Sequence, residues 1–189
     1  MPASRRIGRP RPPGGKPLKL CPELVPKPLW GVSAFRLLKR GAAWKRIRAD
    51  TLATAGDGCA ICGATPQPAP APTVRLYCHE VWHYDDRKAL ATLTGFQMLC
   101  TGCNAVAHMG RAAMVGYLDE ALAHLARVNR ISEAVARTIF DRAMETWRER
   151  NRKAWSTAVS AALLTAYPQL QVLMGQDAGL SGPGTRKGE

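Results

Sequence analysis

The 189-residue sequence has the length of one compact domain with frayed ends and is too short for two full-sized domains. With 46% hydrophobic and 22% charged residues it has enough apolar material for a core, which excludes wholesale disorder. The formal net charge is +13, of which residues 1–50 carry +11 and residues 51–189 only +2, so we expect a polyanionic partner at the N-terminal part.

Residues 1–28 are predicted to form a flexible basic tail. Their Arg-Pro, Pro-Pro-Gly-Gly and Pro-Lys-Pro steps keep the backbone extended and deny it helical hydrogen bonds. Both a solvated leader and a phosphate-binding arm fit this composition. Because residues 1–19 lack the apolar segment of a secretory signal, and no run of about 18 apolar residues predicts a membrane span, we expect a cytoplasmic protein without membrane contact.

Residues 32–54 have a helical pattern that Gly41 divides into two predicted helices. Trp44 and Ile47 lie three residues apart and share an inward face, which turns the basic residues of the second helix outward. A basic helix face is usually only solvated, but the basic tail directly before this one favours contact with nucleic acid. The residues expected to bind phosphates are Lys39, Arg40, Lys45, Arg46 and Arg48.

A Pro-rich surface loop and two strands are predicted next. The loop, at 56–72, ends in Pro-Gln-Pro-Ala-Pro-Ala-Pro, which cannot form a central strand or a helix. Residues 73–84 and 92–99 are rich in β-branched and aromatic residues, which predicts two strands, with a turn or bulge at Gly95 in the second.

From Cys103 to about residue 168 the pattern is helical. Ser132 is a plausible N-cap for a helix that extends to about Trp155, and a last helix is predicted at 157–167. These C-terminal helices either form a surface for a second copy of the chain or another protein, or only cover the rest of the fold. Residues 175–189 are predicted to be a second flexible tail.

Two CxxC pairs give the most specific signal in the sequence. They are Cys59–Cys62 and Cys100–Cys103, with 37 residues between them. Four thiolates at about 2.3 Å from one zinc ion fill its tetrahedral shell and leave no position for a substrate. A redox pair is disfavoured because neither CxxC lies in a βαβ setting. The spacing therefore predicts a structural zinc site.

Residues suited to a second metal ion and to proton transfer lie between and just after these pairs. His79 and Glu80 are on the first predicted strand, whereas Asn104 and His108 are four residues apart and share one face of the helix that follows. A divalent cation in such a cluster can bridge a phosphodiester while a histidine takes a proton from water. This combination indicates phosphodiester hydrolysis.

The basic helix, the two CxxC pairs, His79 and Asn104 occur in an order that resembles HNH nucleases of the zinc-knuckle type. In that family a basic helix precedes the first pair, a hairpin carries the general-base histidine, and the helix after the second pair carries the last metal ligand. The resemblance covers residues 42–112. More narrowly, the runs Cys78–Asp86 and Gly95–Cys100 resemble a bacterial HNH-like subgroup that also has a helical C-terminal part.

The fold implied by this resemblance is α+β and mostly helical. A small zinc-bound ββα-metal finger would be flanked by a basic N-terminal helix and a C-terminal helical bundle. The predicted organisation is a tail at 1–28, the finger domain with its basic helices at 29–115, a helical region at 116–174 and a tail at 175–189.

The function implied by this resemblance is that of a metal-dependent endonuclease that hydrolyses phosphodiester bonds in DNA. His79 would be the general base, and Glu80, Asn104 and His108 would complete the catalytic set. Besides the structural Zn²⁺, a second divalent cation (Mg²⁺, Mn²⁺, Ni²⁺ or Zn²⁺) is implied at this site.

Three positions depart from the family pattern. Cys78 stands where the family usually has Asp or His, Gly95 stands where an asparagine orients the base, and Asn104 stands where His is common, although some relatives have asparagine there. Cys78, Glu80 and Asp85 remain alternatives for completing the second metal site, with Cys78 a soft ligand poorly suited to magnesium. The alternative function is a zinc-stabilised nucleic-acid-binding protein that has lost catalysis. His124, which faces leucines in a predicted helix, is interpreted as structural.

Overall fold

The computed structural model describes residues 17–66 and 74–175, and every structural statement below refers to these residues. Backbone contacts divide the chain into two compact units, each built from three segments. Of the described residues, the first unit contains 17–24, 58–66, 74–77 and 99–145, and the second contains 25–57, 78–98 and 146–175. The units are interleaved along the chain, whereas the segments predicted from sequence are consecutive.

Helices and one small three-stranded sheet form the regular secondary structure of the described residues. In chain order the elements are α1 (Ala34–Leu37), α2 (Ala42–Ala55), β1 (Leu76–Asp85), β2 (Leu90–Cys100), α3 (Thr101–Ala107), α4 (Met109–Val115), α5 (Leu118–Asn129), α6 (Glu133–Arg150), β3 (Ser156–Val159) and α7 (Ala161–Ala166), with short 3₁₀ turns at Lys27–Leu29 and Pro168–Leu173. The strand order is β1-β2-β3, and β3 runs parallel to β2 with Val159 opposite Leu93. None of the described helices is long and apolar enough to cross a membrane.

Several elements predicted from sequence are present with shifted ends. The helical pattern at 32–54 does break at Gly41, and α2 buries Trp44 and Ile47 while its basic residues stay exposed. Strands β1 and β2 correspond to the predicted strands, and Gly95 lies inside β2 without ending it. The Pro-rich part of the predicted loop, at 67–72, lies outside the described residues.

The prediction of a flexible tail over residues 1–28 is wrong for residues 17–28. Leu18 and Leu20 are 3% and 2% exposed, and Leu20 belongs to the core of the first unit. Asn129 on α5 fixes this segment: its Oδ1 accepts hydrogen bonds from the backbone N–H groups of Lys19 (2.8 Å) and Leu20 (3.2 Å), and its Nδ2 donates to the Leu20 carbonyl (2.8 Å). Prolines exclude a helix here but not the burial of an extended chain. Residues 1–16, and residues 176–189 of the tail predicted at 175–189, lie outside the described residues.

The prediction of helices over 132–155 and 157–167 is also partly wrong. Helix α6 ends at Arg150, where the indole N–H of Trp155 donates to the Arg150 carbonyl at 2.8 Å. Strand β3 then takes the place of the predicted helix start. Trp155, Thr157 and Val159 are buried in alternation, a period of two that favours a strand, and pairing with β2 satisfies the backbone.

Each unit has its own hydrophobic core. In the first unit α3, α4, α5 and α6 pack together, and the buried core includes Leu99, Val106, Met109 and Leu125. Ile139 of α6 packs against this core, as its helical spacing predicts. In the second unit α2 packs through Trp44 and Ile47 with Leu93, Leu170 and other apolar residues. Three of the four CxxC cysteines are part of the first core, which places the candidate metal ligands in a largely water-excluded position.

Candidate metal centre

The four cysteines of the two CxxC pairs lie together in the first unit. Their Sγ atoms are all within 4.8 Å of one another, and the sulfurs of Cys62 and Cys100 are 3.6 Å apart. Cys59, Cys100 and Cys103 are buried and Cys62 is exposed. In a tetrahedral shell with Zn–S bonds of about 2.3 Å, the sulfurs are about 3.8 Å apart. The arrangement therefore fits one zinc ion, as the CxxC spacing predicts.

Local backbone structure holds each cysteine pair in place. In the first pair, the N–H of Cys59 donates to the Ala64 carbonyl at 2.9 Å and the N–H of Gly63 donates to the Cys59 carbonyl at 2.9 Å. Gly63 has φ +74°, a left-handed conformation that favours glycine. In the second pair, Cys100 ends β2 and is the N-cap of α3, where its Sγ accepts the Cys103 N–H at 3.4 Å. Tight turns thus hold both pairs of sulfurs.

The thiols affect one another's ionisation strongly. Side-chain hydrogen bonds from Cys100 and Cys103 stabilise the Cys59 thiolate and lower the pKa of Cys59. The hydrogen bonds with Cys100 and Cys59, together with burial, raise the pKa of Cys103. Four thiolates in one buried cluster repel one another, and a divalent cation supplies the charge that allows all of them to ionise. The donor set thus matches a soft divalent metal such as zinc.

His124 lies against the second cysteine pair, a contact that its position among leucines in a predicted helix does not indicate. Its Nε2 is 3.2 Å from the Sγ of Cys103, and its Nδ1 is 2.7 Å from Nη2 of Arg127. Burial, and then the charge of Arg127, lower the pKa of His124. A Cβ at Gly102 would come within 2.5 Å of the imidazole, so the missing side chain between the two cysteines makes room for the ring. The interpretation of His124 as a residue that only packs against leucines missed this contact.

The predicted base and its neighbour lie on β1, in the second unit. His79 is buried, with 7% of its surface exposed. Both oxygens of Glu80 accept hydrogen bonds, Oε1 from the backbone N–H of Phe35 (3.2 Å) and Oε2 from the indole N–H of Trp82 (3.0 Å). Burial raises the pKa of Glu80. Glu80 therefore has a structural role, linking β1 to the first turn of α1.

The other candidate ligands for a second metal also have partners within the second unit. Oδ1 of Asp85 accepts the N–H groups of Arg87 and Lys88, each at 3.0 Å, and so closes the turn between β1 and β2. Cys78 packs against the core of the second unit, and burial raises the pKa of its thiol. Among residues 17–66 and 74–175, the four cysteines are the only group of three or more His, Cys, Asp or Glu side chains close enough to share an ion.

Asn104 and His108 lie in the first unit. Asn104 is within α3, and His108 ends it, with its backbone N–H donating to the Asn104 carbonyl at 3.0 Å. Asn104 and His108 are therefore separated by one helical turn, as their predicted pairing requires. Both side chains are half-buried. The four predicted catalytic residues are thus divided between the units, with His79 and Glu80 in the second and Asn104 and His108 in the first.

The predicted phosphate-binding residues are all exposed and all belong to the second unit. Lys39 and Arg40 have φ +50° and +55°, so they form a left-handed turn just before α2. The guanidinium of Arg40 lies over the ring of Phe35 at 4.6 Å. The side chain of Arg46 lies 5.5 Å from the ring of Tyr167 and forms a weak, exposed ion pair with Asp50 (3.6 Å).

Comparison with known proteins gives no match: no family model, no curated protein and no solved structure is similar enough to this chain to be matched. The geometry of the four-cysteine cluster and the chemistry of the surrounding residues are therefore the basis for assigning a function.

Proposed function

We propose that this protein is an HNH-like, metal-dependent endonuclease that hydrolyses phosphodiester bonds in DNA. The observation that carries the proposal is the four-cysteine cluster, because two of its ligands lie where β2 passes into α3. A hairpin followed directly by a helix, with a CxxC pair at the junction, is the element order that the resemblance to zinc-knuckle HNH nucleases implies.

The cluster has a structural role in this proposal. Four cysteine ligands fill a tetrahedral zinc shell, so no position remains for water or substrate. The zinc held by Cys59, Cys62, Cys100 and Cys103 supplies a cross-link between the turn at Cys59–Cys62 and the start of α3. Metal binding of this kind contributes directly to folding.

Contact with DNA is assigned to the exposed basic residues of the second unit. Lys45, Arg46 and Arg48 are exposed on α2, whereas Trp44 and Ile47 of the same helix are buried. Phosphate contacts by such side chains give binding that depends strongly on salt and little on base sequence. The formal charge of +11 in residues 1–50 supports this assignment.

Hydrolysis is assigned to His79 as general base. Its imidazole would take a proton from a water molecule, whose oxygen attacks phosphorus while the bond to the leaving sugar oxygen breaks. His79 lies on β1 and is 7% exposed. The resemblance implies that Asn104 and His108 would hold a second divalent cation, which would supply positive charge to the phosphate.

Nucleic-acid binding without cleavage is the second candidate function, and the hydrogen bonds of Glu80 favour it. Both oxygens of this carboxylate already accept bonds from protein N–H groups, which disfavours Glu80 as a replacement for the Asp or His that the family has at Cys78. The family's asparagine that orients the base is also replaced, by Gly95.

A plasmid assay separates the two candidates. Supercoiled DNA is incubated with purified protein and Mg²⁺, Mn²⁺ or Ni²⁺, using the wild type, His79→Ala and the matched control His83→Ala, which changes an exposed histidine on the same strand. We expect nicking by the wild type and the control and none by His79→Ala. A gel shift without nicking in all three proteins supports the second candidate, and neither shift nor nicking contradicts both.

A further inference from the structure

His124 contacts a candidate zinc ligand, and its surroundings show which of its atoms carries the proton. A guanidinium only donates hydrogen bonds, so Nδ1 of His124, 2.7 Å from Nη2 of Arg127, must be the acceptor. The imidazole proton is then on Nε2. That nitrogen lies 3.2 Å from the Sγ of Cys103, within hydrogen-bond distance for sulfur.

A hydrogen-bond donor such as this N–H would stabilise the Sγ of Cys103. Cys103 is fully buried, so water does not reach its side chain. A buried thiolate without a hydrogen bond is costly even when it binds a cation, and donors in the surrounding protein compensate for the lost water. The glycine between Cys100 and Cys103 leaves the space that the imidazole occupies.

We propose that His124 is a positioning residue of the metal centre: its Nε2–H donates a hydrogen bond to the Sγ of Cys103, and Arg127 fixes the tautomer that makes this possible. The bond holds the sulfur in place and draws negative charge from it. His124 therefore slows the loss of zinc. This role is independent of the proposed nuclease activity, because it concerns the structural site alone.

The first test measures zinc release to a colorimetric chelator from the zinc-loaded full-length protein. His124→Leu fills the space without a donor, and we expect release about 10-fold faster, at the lower end of the 10–100-fold effects of such outer ligand contacts. His124→Gln places an amide N–H near the position of Nε2 and should restore most of the wild-type rate. Equal release rates for the wild type and His124→Leu contradict the proposal.

Gly102→Ala tests the same contact without changing His124. Its Cβ would lie 2.5 Å from Nδ1 and Cε1 of the imidazole and so displaces the ring. The matched control is Gly110→Ala, also a helical glycine of the first unit, where the Cβ meets only the end of the Leu24 side chain at 3.3 Å. We expect fast zinc release from Gly102→Ala and wild-type release from Gly110→Ala. This pair keeps the proposal testable even if His124→Leu does not fold.

The absorption spectrum of the Co²⁺-substituted protein separates hydrogen bonding from packing. A hydrogen bond lowers the energy of the sulfur lone pairs, so its loss brings the sulfur-to-cobalt charge-transfer band to longer wavelength. We expect this shift in His124→Leu and Gly102→Ala and its reversal in His124→Gln. Faster zinc release with an unmoved band would show that His124 only packs against the site, and the proposal would be wrong.

Discussion

The candidate metal centre of the first unit and the acidic residues on and after β1 in the second unit both consist of side chains that can bind metal ions, thiols in the first and carboxylates in the second, but these side chains differ in their partners. In the metal centre, four sulfurs lie within 4.8 Å of one another, and their mutual hydrogen bonds leave the negative charge within the cluster. In the second region, by contrast, Glu80 of β1 accepts bonds from backbone and indole N–H groups, and Asp86, just after β1, is paired with Arg150. Metal-binding side chains that lie close together favour a metal ion when no cation or N–H donor of the protein already pairs with them.

Loss of zinc from the metal centre should lower the stability of the protein more than any change in the second region. Cys59→Ser removes one ligand, and because metal binding of structural sites is worth about 10–16 kcal/mol, we expect loss of zinc and a much lower Tm of the first unit. Metal content and thermal unfolding by circular dichroism measure both. The control is Cys21→Ser, outside the cluster, which should keep about one zinc per chain. A zinc-free wild type with unchanged unfolding would contradict the zinc site.

Loss of Glu80 should have an intermediate effect, on stability. Glu80→Ala leaves the indole N–H of Trp82 and the backbone N–H of Phe35 without their acceptor, and we expect unfolding to become easier by about 1–2 kcal/mol. Urea denaturation measures this change, and Glu80→Gln, which keeps one acceptor oxygen, should lose less. If Glu80→Ala is as stable as the wild type but no longer cleaves DNA, Glu80 is a catalytic residue and its assignment to a structural role is wrong.

Loss of the Asp86–Arg150 ion pair should have the smallest effect, and one that depends on pH. Two hydrogen bonds from Arg150 (2.7 and 2.9 Å), then the charges of Arg150 and Lys153, lower the pKa of Asp86. Because the Asp86 side chain is 44% exposed, solvent screening reduces the contribution of the pair to about 0.5–1 kcal/mol.

The direction of this pH dependence follows from the lowered pKa of Asp86. The stabilisation is present above the pKa of an unfolded aspartate and is lost as the pH falls through the lower pKa of the folded state. Asp86→Asn should therefore destabilise the protein at neutral pH and match the wild type in strong acid, as followed by urea denaturation at several pH values. Asp119→Asn, which removes an exposed contact with Arg137 at 3.3 Å, is the control and should change little at any pH. An equal difference between Asp86→Asn and the wild type at all pH values contradicts this assignment.

The metal centre and several elements follow from local sequence signals. The CxxC spacing predicts the metal site because cysteine pairs at this spacing have few other roles in such a setting. The turn at Gly63 and the start of α3, which hold the cysteines, form within a few residues of them. Helix α2 is predictable because Trp44 and Ile47 mark its buried face. Strand β3 is not predictable from local sequence, since its alternation of buried and half-buried residues is only four residues long and is followed directly by a helical pattern.

What the sequence alone determined is therefore which four cysteines form the candidate metal centre, the concentration of positive charge in residues 1–50 and most of the helices. Only the tertiary structure decided the partners of single side chains. Asn129 binds the segment at Leu20, 109 residues earlier, Glu80 binds Phe35, 45 residues earlier, and His124 meets Cys103, 21 residues earlier. Periodicity and spacing describe neighbours along the chain, whereas these contacts depend on how whole elements pack, and for that reason His124 became a functional candidate only in the folded protein.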